Sequence, residues 1–135
     1  MTLLSDANRL VAAILLIAVP TIEFGGSFLL RLSRGGDDAT PAQRSFFRAG
    51  HAHAGVLVIL SLAALLYVDA AGVHGAPAWV ARVLIPAAPI LVPAGFLLSM
   101  LGAGRTVPNR LIAMVYAGAA LLAAGTVTPG VAIVP

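Results

Sequence analysis

The chain has no cysteine and no lysine, and only 10% of its 135 residues carry a charged side chain. Without cysteine there is no disulfide, no thiolate metal site and no cysteine nucleophile, and the redox compartment stays open. A soluble domain usually carries about 25% charge, so the scarcity of charge excludes an ordinary water-soluble globule. Combined with an apolar share of 60%, it also excludes a disordered tail, which needs the opposite balance. Internal repeats and low-complexity segments are missing too. So are a glycine-rich phosphate loop, a nucleophile elbow and a His-Glu-x-x-His helix, which leaves soluble nucleotide and hydrolase chemistry without support.

What the chain does have is long apolar runs. A bilayer core about 30 Å thick needs roughly 20 apolar residues per helix, and residues 10–30, 50–73, 79–101 and 111–134 each qualify. The runs are too long for strands, and turn residues separate them. Gly35-Gly36-Asp37-Asp38 with Pro41 marks the first loop, His74-Gly75-Ala76-Pro77 the second, and Gly102-Ala103-Gly104-Arg105 with Pro108 the third. The expectation is an all-α integral membrane four-helix bundle forming a single domain over residues 1–135, with the lipid bilayer as its main partner. The first run follows Arg9 like a secretory signal, but Glu23-Phe24-Gly25-Gly26 is a poor cleavage site, so an uncleaved helix is expected.

All eight basic residues are arginine, a bias that a GC-rich genome also produces. Arg31, Arg34, Arg44 and Arg48 flank the first loop and Arg105 and Arg110 the third, whereas Arg9 and Arg82 lie toward the other side. The positive-inside rule then puts loops one and three in the cytoplasm and both termini outside, as in a multi-pass protein of the cell membrane. Trp79 falls in the outer aromatic belt, and Phe46 and Phe47 near the inner one. The net charge of +3 is an orientation signal, and no nucleic-acid partner is expected.

Ionisable groups inside spans are costly and often mark function. Glu23 lies in the first span, about 10 Å from its cytoplasmic end at 1.5 Å per residue, with Pro20 and Ser27 nearby. His51 and His53 open the second span in Arg48-Ala49-Gly50-His51-Ala52-His53-Ala54-Gly55. Asn109 opens the fourth and Tyr116 lies two turns deeper; with Ser99, these groups share a depth. Positions i and i+2 point about 200° apart on a helix. His53 is therefore expected to face inward on the stripe Leu60, Ala64, Tyr67, with His51 on the stripe Gly55, Val58, Leu62, Asp69. An irregular helix start at Gly50 would let both converge.

These residues suit three roles. Glu23, His51 and His53 are competent ligands for zinc or copper, and imidazole for haem; Glu23, His53, Asn109 and Tyr116 would then border the cofactor. The same groups suit proton or substrate handling, and a Glu23–His53 or Glu23–Arg pair would also glue helices together. Asp69 and Arg82 are expected to form a structural salt bridge. Pro86, Pro89 and Pro93 share one face of the third span, predicting a kinked packing helix or a cavity lined by freed carbonyls. Ala113, Ala117, Ala120 and Ala124, with Gly118 and Gly125 nearby, predict close packing within the bundle or between protomers.

With Thr21-Ile22-Glu23-Phe24-Gly25-Gly26, the His51–His53 segment, Val92-Pro93-Ala94-Gly95-Phe96 and Pro108-Asn109-Arg110-Leu111 in view, the chain resembles a group of small, uncharacterised four-helix membrane proteins of high-GC bacteria. That resemblance implies a location and no activity. The element Ala52-His53 is also similar to the Arg-Ala-His opening of helix two in the membrane-associated eicosanoid and glutathione enzymes. Here His51 replaces the Arg, and Gly55 and Val58 replace the Asn and Glu that the resemblance would need for glutathione. The functional expectations are thus a metal- or haem-associated redox or proton-handling protein, a small membrane enzyme or binder using the same inner cavity, or an assembly module joining a homo-oligomer or membrane complex.

Overall fold

The computed structural model describes residues 3–35 and 38–134; Gly36 and Asp37 of the first loop lie outside them. The described residues form four helices, α1 (Asp6–Ser33), α2 (Pro41–Ala70), α3 (Gly75–Ser99) and α4 (Ala113–Ile133), the last preceded by a single 3-10 turn, Arg110–Ile112. All four are long and apolar enough to cross a membrane. At 1.5 Å per residue, the 28 residues of α1 extend about 42 Å, more than one hydrocarbon core.

Helix boundaries follow from capping chemistry. Ser5 caps α1, its Oγ accepting from Asn8 N–H. α2 begins at Pro41, nine residues before the expected span, because Thr40 and Gln43 form a reciprocal capping box and Pro41 sits at the first turn. Arg44 and Arg48 are therefore helical residues. α2 ends on Gly72 at φ +66°, where Gly72 N–H donates to Asp69 C=O and Val73 N–H to Val68 C=O, the double bond of a Schellman stop.

The bundle is open. α3 packs along α4 over the longest seam and along α2 over the next; α1 rests mainly on α2, and the α1 and α4 backbones do not approach within 8 Å. Along the α3–α4 seam, glycine faces side chain. A Cβ added to Gly118 would lie 2.7 Å from Val92 Cγ2, and one added to Gly125 would lie 2.9 Å from Ile85 Cγ1. Gly95 of α3 faces Val115 in the same way. The expected alanine stripe is not the packed face. Ala113, Ala117, Ala120 and Ala124 are all exposed, while Gly118, Gly125 and Pro129 are buried. Glycine wins because its missing side chain lets the two backbones approach more closely than alanine permits.

The expected Asp69–Arg82 ion pair is not formed. The start of α1 comes between them: Asp69 Oδ2 accepts from Ser5 N–H at 2.7 Å, and Arg82 Nε donates to Asn8 Oδ1 at 2.6 Å. Asn8, fully buried, also donates through Nδ2 to Leu65 C=O at 3.4 Å. A carboxylate beside a helix N-terminus complements the positive end of the helix dipole, so both charges find better partners at the start of α1 than in each other. At the other end, Gln43 Nε2 donates to Met100 C=O and Gly102 C=O and Thr40 Oγ1 to Arg105 C=O, tying the loop after α3 to α2. Phe47, expected at an interface belt, is instead buried with Leu32 and Met100. Trp79 is exposed.

α3 runs unbroken through its three prolines. Pro89 cannot donate to Ile85 C=O, which Ser61 Oγ of α2 approaches at 3.5 Å while making its main bond to Leu57 C=O. Ile85, Ala88, Val92 and Pro93 are buried, as befits a packing helix.

Candidate functional site

Three stripes of α2 have three different destinies. Gly50, Leu57 and Ser61 meet α3: Gly50 lies against Phe96, Leu97 and Pro93, Leu57 against Ala88 and Val92, and Ser61 approaches Ile85. Val58 and Leu65 pack with Ala12 and Leu15 of α1, and His51, seven residues before Val58, extends that seam. The third stripe, His53, Leu60 and Tyr67, is exposed.

His53 therefore does not face inward as expected; His51 does. The helix is regular through Gly50, so the two imidazoles diverge. His53 Nδ1 lies 2.7 Å from Ala49 C=O. A carbonyl only accepts, so Nδ1–H donates in that contact. Its ring centroid is 5.2 Å from that of Phe96. His51 lies across Gly25-Gly26 of α1, where a Cβ on Gly26 would come within 3.2 Å of its Cε1 and one on Gly25 within 3.5 Å of its Nδ1. The glycine pair that follows Glu23 is the seat of an imidazole.

Two depressions meet at His51. One is a cleft of about 560 Å³ between α1, α2 and α3, walled by apolar residues including Phe24, Phe28, Phe47, Val58 and Leu97. His51 is the one ionisable residue among those that line it, and Thr21 adds a hydroxyl. The other is a shallow groove between α1 and α2 whose lining mixes Leu29 and Leu30 with Glu23, Ser27, Ser33, Arg48 and His51. Ser27 Oγ donates to Glu23 C=O and Ser33 Oγ to Leu30 C=O, so both hydroxyl protons are already committed to α1. No hydrogen bond or ion pair joins the side chains of Glu23, Arg48 and His51 to one another; between described residues, the ion pair present is Arg9–Asp6 at the opposite end.

The remaining expected site residues stand apart. Asn109 works as a loop staple: its N–H donates to Ser99 C=O, its Nδ2 to Leu98 C=O, and its Oδ1 accepts from Leu111 N–H. Tyr116 is 71% exposed on α4, which does not reach α1. Ser99 is buried with its hydroxyl on Phe96 C=O. Val58, at the position where the enzyme resemblance would need a Glu, is a packing residue.

Among the described residues, no group of three or more His, Cys, Asp or Glu is placed to hold a metal ion. A zinc site takes three or four protein ligands, and among the described residues Glu23, His51 and His53 are not gathered into such a group. For haem, His51 is the imidazole among the residues that line the cleft. The sequence reading counted His51 among the candidates but turned His53 inward, and the signal that would have placed His51 against α1 is the Gly25-Gly26 pair. No family model, curated protein or solved structure matches this chain.

Proposed function

We propose that this is a multi-pass integral membrane protein, its arginine-rich end in the cytoplasm and both termini outside, that holds a lipophilic small molecule between α1, α2 and α3. His51 meets the polar end of that molecule and exchanges hydrogen bonds or protons with it. The observation that carries this is that one imidazole stands on the wall of both the apolar cleft and the groove that Glu23 and Arg48 border. A cleft of about 560 Å³ falls within the range of small-molecule sites, which combine apolar walls with few polar groups. Glu23, a carboxylate within the first span that borders the same groove as His51, gives the reading its proton-handling side, because ionisable groups in spans mark proton and substrate paths.

The test is to fill the cleft. Ala54 borders it on α2, so Ala54→Phe puts a ring into the space the ligand would take. Binding of a long-chain dansyl amide to detergent-purified protein is expected to be saturable in the parent chain and at least tenfold weaker in the variant, at unchanged helix content. Equal binding by both proteins would defeat the reading.

A further inference from the structure

The walls of the cleft say more about the occupant, provided that the lipophile reading holds. We propose that it is an isoprenoid-type quinone or its quinol: a neutral ring bearing hydrogen-bonding oxygens, with a long hydrocarbon tail. The entry side is the first argument. α1 touches α3 only sparsely, and the rim between them carries Phe24 and Ile90, 78% and 69% exposed. A molecule reaching the cleft there comes out of the hydrocarbon phase, so it is dissolved in the bilayer.

The order of charges is the second argument. Glu23 lies ten residues before the end of α1 at Ser33, and His51 ten residues after the start of α2 at Pro41. Both are about 15 Å along their helices from the arginine-rich end, whereas Arg48 is about 10 Å from it. An anionic head group at the level of His51 would stand at the level of Glu23, like charge against like. A lipophilic cation gains from Glu23 but meets Arg48 in the same groove. A neutral head group meets neither penalty.

The third argument is what stands at the junction. A quinone carbonyl needs a donor, and a quinol hydroxyl needs an acceptor. Neutral imidazole offers one of each, so His51 serves both forms without a change of residue. Phe24, Phe28 and Phe47 flank the same space, with the Phe28 and Phe47 rings 5.9 Å apart and tilted by 59°, a frame in which a planar ring packs by edge or offset contact. Behind His51, the groove toward the arginine-rich end has Glu23 on its border, a carboxylate that serves as acceptor for an exchanging hydroxyl proton. The proposal concerns binding and proton exchange, with no electron transfer assigned.

The test measures binding of decylubiquinone, decylubiquinol and decyltrimethylammonium to the full chain in detergent. Both ring compounds are expected to bind saturably and more tightly than the cation. His51→Phe should weaken them at least tenfold, and His51→Asn, which keeps a donor and an acceptor, should recover most of the loss. Circular dichroism must show both variants helical; if His51→Phe does not fold, Ala54→Phe replaces it as the loss variant. Ring compounds that bind no better than the cation, or that ignore His51→Phe, overturn the quinone assignment while leaving a lipophile site standing. Failure of all three probes together with the dansyl amide removes both.

Discussion

The two sides of α3 solve the same packing problem in opposite ways. Toward α4 the helices touch along Gly95, Gly118 and Gly125, with no room for a methyl group. Toward α1 the contact opens into a cleft of about 560 Å³, although its walls are apolar apart from His51 and Thr21. Close approach of two backbones maximises dispersion contacts and leaves no space for a ligand. Bulky side chains such as Phe28, Phe47 and Leu97 hold helices apart and leave space between them. One side of α3 is closely packed and the other is left open.

α1 can afford that looseness because it is held near its ends. Asn8 and Ser5 bind α2 and α3 at one end, and Leu32 packs with Phe47 and Met100 at the other. Between these fastenings lie Pro20, which leaves Leu16 C=O without its usual donor, and the glycine pair that seats His51. His51 thus meets α1 just past Pro20, next to the segment in which Leu15, Val19 and Ile22 pack toward α2.

Three substitutions probe this contrast. The largest effect is expected from Gly118→Leu, whose side chain has no space against Val92 and Leu91. Overpacking costs about 1–3 kcal/mol and sometimes more, and backbone against backbone leaves little relief, so a loss of about 3 kcal/mol in detergent unfolding is expected. A variant as stable as the parent would show that the seam is not tight. Asn8→Ala comes next, because it strips Arg82 of its acceptor and Leu65 C=O of its extra donor. A loss of about 2 kcal/mol fits hydrogen bonds to a charged group, accompanied by faster amide exchange in α1 but not in α4. Uniform acceleration across all helices would mean that the two sides are not separable. The smallest effect belongs to Ala117→Leu on the exposed face of α4, expected within about 0.5 kcal/mol of the parent. A larger loss would put the alanine stripe back into a packed interface.

Much of the fold was legible because it depends on local chemistry. The four helices follow from uninterrupted apolar runs, and the true start of α2 was written in Thr40-Pro41-Ala42-Gln43, a capping signal that hydropathy alone passed over because Arg44 and Arg48 follow it. The candidate site was legible in its residue types and misjudged in its geometry. Glu23 and the histidine pair stood out as polar groups in apolar runs, and one histidine does meet α1 beside Glu23. It is His51, however, and Asn109 and Tyr116 belong to other parts of the molecule.

The scarcity of charge, the four apolar runs and the punctuation between them determined an all-helical chain with helices long enough to cross a bilayer, because helix length and caps are properties of neighbouring residues. Which face of each helix packs was decided only by tertiary structure. In a chain this apolar, the stripe 53–60–67 and the stripe 51–58–65 look alike by hydropathy, since neither needs to be hidden from water. Steric fit separates them. Gly25 and Gly26 make room for an imidazole at 51, Gly118 and Gly125 make room for the side chains of α3, and a hollow opposite a side chain exists only once two helices have been brought together.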